Sequence, residues 1–138
     1  MSELERYTVT MPRELFVAFD ERNRRKGYKN RSEAIRDLVR AALIQEEWGE
    51  PDKQVAATIT FVYDHHAREL SDKINRVQHR FGELVVSALH VHLEHNCLEV
   101  VVTRGKAGEI HQLADALGSI RGVKHTQLAL TTQGKELK

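Results

Sequence analysis

The sequence predicts an α+β chain of two unlike pieces: a short strand–helix–helix arm that intertwines with a second copy, and a βαββαβ domain. Three observations carry this. A period-two run over residues 5–11 is followed by two helical patterns before residue 48. A break in composition, "WGEPDK" at residues 48–53, reads as a linker through Gly49 and Pro51. Beyond it, six segments follow in the order strand, helix, strand, strand, helix, strand.

In the arm, "ERYTVTM" alternates Arg6, Thr8 and Thr10 with Tyr7, Val9 and Met11, which predicts a half-buried strand with one polar and one apolar face. Pro12 ends it and suits the first turn of a helix. That helix carries Leu15, Phe16 and Phe19 and stops near Gly27, which can take the left-handed conformation at a helix end. In "NRSEAIRDLVRAALI", Asn30 caps a second helix, and Glu33 three residues on completes a capping-box pattern. Ala34, Ile35, Leu38, Val39 and Ala42 form its apolar stripe. A piece this small lacks a secure core, and its one strand has unpaired edges. Pairing with the same strand of a second chain solves both, so the arm is expected to be an intertwined dimer.

In the second piece, strands are expected over 55–64, 84–93, 97–104 and 123–131, with helices over 67–81 and 108–118. This is the split βαβ order of a ferredoxin-like sandwich. No internal repeat or low-complexity tract interrupts the chain.

With 138 residues, 41% hydrophobic and 30% charged, the chain has an ordinary globular composition. Its net charge of +1 does not by itself point to nucleic acid. The start, "MSELERYT", has no apolar core to act as a signal peptide, and no run is apolar enough to span a bilayer. A cytoplasmic protein without a membrane partner is expected. No nucleophile stands beside a base and no glycine-rich phosphate loop is present, so no enzyme is expected.

Charge is nevertheless concentrated. Over residues 22–40, eight basic side chains, Arg31 among them, face only Glu33 and Asp37. The second helix begins there, at Asn30, Arg31 and Ser32, where free N–H groups can take a phosphate. A two-stranded ribbon fits the major groove, with Arg6, Thr8 and Thr10 pointing outward from both chains. On charge and pattern alone, a solvated basic face is an equal reading.

The stretch "LHVHLEHNCLEVVV", residues 89–102, holds His90, His92 and the one cysteine, Cys97. A lone cysteine excludes an intrachain disulfide, leaving a free thiol, a ligand or core. Two histidines two apart on a strand share a face. With residues 93–96 as the turn, His92 lies opposite Cys97 and His90 opposite Glu99. Opposed Cβ atoms are roughly 4.5–5.5 Å apart, close enough to share one ion. Glu99 would orient the His90 ring. In the preceding helix, Leu70, Ile74, Val77 and Phe81 form the buried stripe, and His79 lies nearly opposite it. His65, His66, His95, His111 and His125 have no comparable partners, and of these His65 and His95 are candidates for weaker metal binding.

"RYTVTMP…GYKNRSEAIRDLVRAAL" resembles the ribbon-helix-helix repressors, and together with "LHVHLEHNCLEVVV" the chain resembles the nickel-responsive transcriptional regulators of the NikR family. The likeness covers nearly the whole chain, which is one residue shorter than the family's usual spacing between the second histidine and the cysteine. It implies a ribbon-helix-helix DNA-binding domain over 1–48, a linker over 49–53 and an ACT-like nickel-binding and tetramerisation domain over 54–138. It implies a homotetramer, a dimer of dimers, that binds one Ni(2+) per subunit. With nickel it would repress by binding a palindromic double-stranded DNA operator, of nickel-uptake genes. The ligands implied are His90, His92 and Cys97, with His79 in "VQHR" completing the site of another subunit. One thiolate and three imidazoles in a plane suit Ni(II), and Cu(II) accepts the same geometry. DNA contacts are expected at Arg6, Thr8, Thr10, Asn30, Arg31 and Ser32. Glu33 and Asp37 match family carboxylates that hold a monovalent cation. The rival readings are a metal storage or chaperone protein, and a regulator that senses copper or an amino acid.

Overall fold

The computed structural model describes residues 3–135 and Leu137, with only the backbone of Arg68. Eight elements follow in order: α1 (Arg13–Lys26), α2 (Arg31–Trp48), β1 (Gln54–Asp64), α3 (Arg68–Arg80), β2 (Val85–Leu93), β3 (Asn96–Lys106), α4 (Ala107–Gly118) and β4 (Val123–Thr131). The chain divides into two compact units that part between Leu43 and Ile44.

In the first unit, Pro12 precedes α1, and its carbonyl accepts the first helical bond from Phe16 N–H at 3.0 Å. Gly27 closes the helix at φ 83°, with Gly27 N–H on the Arg24 carbonyl and Tyr28 N–H on that of Asn23. Asn30 caps α2 as its sequence predicts, its Oδ1 accepting from Glu33 N–H at 2.9 Å. The strand expected over residues 5–11 is a correction: residues 3–12 form no strand in the single chain. An extended backbone is stabilised as a strand only when a neighbour takes its N–H and C=O groups, and no described segment of the chain pairs with it. The same shortage appears in the side chains. Ala34 is buried, whereas Tyr7, Val9, Leu15, Leu38, Val39 and Leu43 are exposed. This unit has apolar faces for a core that one chain does not complete.

The second unit is a four-stranded antiparallel sheet in the order β2-β3-β1-β4, with α3 and α4 on one face. This is the ferredoxin-like arrangement expected from the element order, and the ACT-like one that the resemblance implies. Every second residue of β1 faces the helices: Val55, Ala57, Ile59, Phe61 and Tyr63 are all buried. They pack with Leu70 and Ile74 of α3 and Leu113 and Leu117 of α4, the α3 stripe being completed by Val77 and Phe81. A smaller cluster joins Trp48, Val55, Ala57, Ala107 and Ile110. Trp48 also donates its indole N–H to the Thr131 carbonyl at 2.8 Å, so the last turn of α2 is part of this unit. The segment after it is strapped to the start of α4. Gly108 N–H reaches the Pro51 carbonyl at 2.9 Å, and Ala107 N–H reaches that of Lys53 at 3.0 Å. A Cβ on Gly108 would stand 3.2 Å from the Pro51 Cβ, so glycine is what lets the strap lie so close.

Candidate metal centre

The β2–β3 hairpin turns through Glu94 and His95, with Glu94 in the left-handed region at φ 51°. Its register is Leu93 opposite Asn96, His92 opposite Cys97 and His90 opposite Glu99, as the sequence predicts. Because side chains alternate along a strand, these four potential donors lie on the helix-facing side. Cys97 and Glu99 are buried there, whereas His90 and His92, on the edge strand, are exposed.

Pairing across β3 brings in residues that local spacing does not reveal. Tyr63 of β1 lies opposite Cys97. Just past β1, His65 is tied to the hairpin turn by its N–H on the His95 carbonyl at 3.1 Å. Its Nδ1 then stands 3.2 Å from Cys97 Sγ and 3.1 Å from His92 Nδ1, while Sγ and His92 Nδ1 are 3.7 Å apart. Among the described residues, His65, His92 and Cys97 form the one group of three such side chains close enough to hold an ion.

His90 is held differently. Its Nδ1 lies 3.1 Å from the Tyr63 hydroxyl and 3.3 Å from Glu99 Oε1. The other Glu99 oxygen accepts from Gln78 Nε2 of α3. Glu99 therefore ties the hairpin to the helix turn that carries His79. With Nδ1 turned to Glu99 and Tyr63, Nε2 is the His90 atom left for a metal. His79 is exposed on α3 and does not join the three-residue group of its own chain.

Burial pushes the Cys97 thiol above its ordinary range. The Tyr63 hydrogen bond pulls it down, and the Glu99 and Asp64 carboxylates push it further up. Burial, then the nearby charges of Glu99 and Cys97, push the Tyr63 phenol up to about 12. Tyr63 is therefore a neutral hydroxyl at physiological pH. A metal that takes Cys97 must displace the thiol proton.

In the first unit, Arg6, Thr8, Thr10, Asn30, Arg31 and Ser32 are all exposed. Arg31 is already engaged: its guanidinium makes two bonds to Asp20, at 2.9 and 2.8 Å, and lies 4.5 Å from the Phe16 ring centroid. Arg31 holds the Asp20 carboxyl below the usual range. Asp37 accepts from the Tyr28 hydroxyl at 2.5 Å and from Arg40 at 3.0 Å. Those bonds lower its pKa, Tyr28 first. Glu33 is exposed near the cap, its backbone N–H on Asn30.

Spacing alone marks neither Tyr63 nor Gln78 as a site residue, and it marks His65 only as a candidate for weaker metal binding. Tyr63 and Cys97 meet through a pairing of strands 34 positions apart, which no local pattern encodes. Gln78 is visible in hindsight as the residue beside His79 on the helix over the hairpin.

Comparison with known proteins agrees with both units. Residues 5–46 match the family described as "Ribbon-helix-helix protein, copG family", and residues 56–131 match "NikR C terminal nickel binding domain". The chain is 52% identical over 138 residues to a protein of Geobacter sulfurreducens named "Putative nickel-responsive regulator", covering 99% of each. A protein of the same name from Thermococcus onnurineus is 49% identical over 136 residues, covering 98% of this chain and 99% of that protein. An uncharacterized protein of Thermotoga maritima has a similar fold at 19% identity and a TM-score of 0.51, over 56% of this chain and 96% of that one.

Proposed function

The chain belongs to the family of nickel-responsive regulators that join a ribbon-helix-helix domain to a NikR-type nickel-binding domain, and from that premise we propose that it is a nickel-dependent repressor acting as a homotetramer. The family is one of DNA-binding regulators and not of enzymes. Nickel is taken at one site per subunit, by His90, His92 and Cys97 of one hairpin and His79 of a neighbouring chain. A soft thiolate with imidazoles suits Ni(II) in a plane, and Cu(II) competes for the same set.

The observation that carries the reading is the hairpin register. It sets His92 across from Cys97 and His90 across from Glu99, whose carboxylate also holds Gln78. Gln78 adjoins His79, so ordering of α3 and ordering of the hairpin share one carboxylate. A site that borrows His79 from another chain links two subunits. That link restricts how the DNA-binding dimers are presented, so that two of them engage one palindromic operator. DNA is read by Arg6, Thr8 and Thr10, which are exposed and await a second strand. Asn30, Arg31 and Ser32 stand at the α2 N-terminus, where a phosphate is favoured. For Arg31 this requires exchanging Asp20 for phosphate, or sharing between them. The matching carboxylates Glu33 and Asp37 are proposed to take a monovalent cation with DNA bound, Asp37 giving up its bonds to Tyr28 and Arg40.

Nickel titrated into the full chain with its own promoter fragments tests this. A nickel-dependent shift of one specific fragment, saturating at one nickel per chain, is expected. Equal DNA affinity with nickel and with chelator would overturn the regulator and leave a storage protein. Copper supporting the shift and nickel failing to do so would make the chain a copper sensor.

A further inference from the structure

We propose that Asp20 is a positioning residue for DNA: it holds the Arg31 guanidinium so that the opposite edge meets a backbone phosphate, and it keeps that hold when DNA is bound. The inference rests on the reading of Arg31 as a phosphate contact, and of the two routes open to Arg31 it takes sharing over exchange.

A carboxylate beside a phosphate contact repels DNA unless it does something for the contact. The bonding shows what Asp20 does. Arg31 Nε lies 2.9 Å from Asp20 Oδ1 and Arg31 Nη2 lies 2.8 Å from Oδ2, two parallel bonds along one side of the guanidinium. A guanidinium carries five N–H donors, and this pair uses two of them. One N–H on each Nη atom runs parallel along the end edge, a second seat for a bidentate oxyanion. Carboxylate and phosphate therefore take different edges of one group. The Phe16 ring covers a face of it, with Cζ 4.5 Å from the ring centroid. The Arg31 side chain is still 59% exposed, so it is held without being covered. Arg31 keeps the Asp20 carboxyl below its usual range, so the acceptor is ionised at neutral pH.

The backbone beside Arg31 is fixed as well. Asn30 Oδ1 takes the Glu33 N–H, and helix geometry leaves the N–H groups of Arg31 and Ser32 without intrahelical acceptors. Asp20 belongs to α1, so its two bonds pin a long side chain of α2 against the preceding helix, next to those donors. A free arginine loses rotamer freedom on meeting a phosphate. One already held at an edge and a face has lost much of it beforehand. Against this stands the repulsion between Asp20 and the phosphate. Salt screens that repulsion and leaves the ordering untouched.

The test uses the full-length, nickel-loaded chain and a random-sequence DNA duplex, since a phosphate contact is blind to sequence. Affinity is measured at about 0.05 M and about 0.2 M salt for wild type, Asp20→Asn, Arg31→Ala and the double variant. Far-ultraviolet circular dichroism and nickel affinity serve as folding controls. Arg31→Ala should weaken binding and reduce the salt slope by about 0.9 for each Arg31 that meets a phosphate. Asparagine keeps the size of Asp20 and one acceptor, but its NH₂ faces an Arg31 N–H and the paired bonds are lost. Asp20→Asn should therefore weaken binding at the higher salt by about 2–10-fold per contact, the effect of ordering one long side chain on binding. In the Arg31→Ala background the same change only removes a negative charge, and it should strengthen binding. That reversal of sign is what a merely structural role would not produce. Stronger DNA binding by Asp20→Asn in both backgrounds, or an equal loss in both, would overturn the proposal and leave the Arg31 contact standing. Failure of the underlying reading looks different: Arg31→Ala would keep wild-type affinity and salt slope, and the role given to Asp20 would fall with it.

Discussion

Replacing Glu99 by glutamine should cost the nickel site about 10–100-fold in affinity, the usual effect of removing the partner that orients a histidine ligand. Glu99 is buried, with Oε1 at 3.3 Å from His90 Nδ1 and the other oxygen accepting from Gln78. Glutamine keeps the volume and one acceptor, so packing changes little. Its amide cannot serve both neighbours as the carboxylate does. If its oxygen accepts from Gln78, its NH₂ faces His90 Nδ1, which must then be the acceptor. The ring proton moves to Nε2, the atom a metal would need. If the amide flips, His90 is served, and Gln78 must flip with it to accept from the new NH₂ group, so neither bond keeps a charged partner. Either arrangement forfeits one hydrogen bond to a charged group, worth about 1.5–3 kcal/mol. That agrees with the 10–100-fold loss, which corresponds to about 1.4–2.7 kcal/mol. The assay is a nickel titration against a chelator of known strength, with thermal unfolding of the metal-free protein as control. Nickel affinity within twofold of wild type, in a folded variant, would refute the role given to Glu99.

Burial holds the Cys97 thiol above its ordinary range, so the metal-free protein carries that proton at neutral pH and nickel must displace it. Affinity should rise about tenfold per pH unit between about pH 7 and 8; a flat profile there would mean the thiolate is not a ligand. Replacing Thr8 and Thr10 together by alanine should leave nickel binding intact and cost roughly 1–3 kcal/mol in preference for the operator over random DNA, measured by competition footprinting; undiminished preference would exclude the ribbon as reader. Trp48→Ala should lower the stability of the second unit by about 3–5 kcal/mol, since it empties part of the smaller core and leaves the Thr131 carbonyl without its indole partner. A denaturation midpoint unchanged from wild type would show the last turn of α2 to be a passive extension.

How legible these features were depends on the distance over which they are encoded. The hairpin is short-range: His90, His92, Cys97 and Glu99 alternate within ten residues, so a two-residue turn dictates their register. That turn uses Glu94 at positive φ, where no glycine signals it. Helix ends at Pro12, Gly27 and Asn30 are equally local and were read directly. The rest is not. Tyr63 meets Cys97, and Gln78 meets Glu99, only after three strands and a helix have assembled. Arg31 finds Asp20 eleven residues back through the helical hairpin, so a residue singled out for its charge proves to be paired. The alternation over residues 5–11 is legible, but the single chain forms no strand there. Its period of two states which face would be buried and says nothing of whether one molecule can bury it.

The sharing of one nickel site between two chains is tested most directly by mixing two inactive variants, His79→Ala and Cys97→Ser. Neither alone can form a complete site. After subunit exchange, verified with differently tagged chains, an interface can pair the intact hairpin of the first with the intact His79 of the second. Return of the sulfur-to-nickel charge-transfer band and of nickel-dependent operator binding in the mixture is the predicted result. Exchange without any return of planar nickel would contradict it, and with it the linking of subunits as the means by which nickel controls DNA binding.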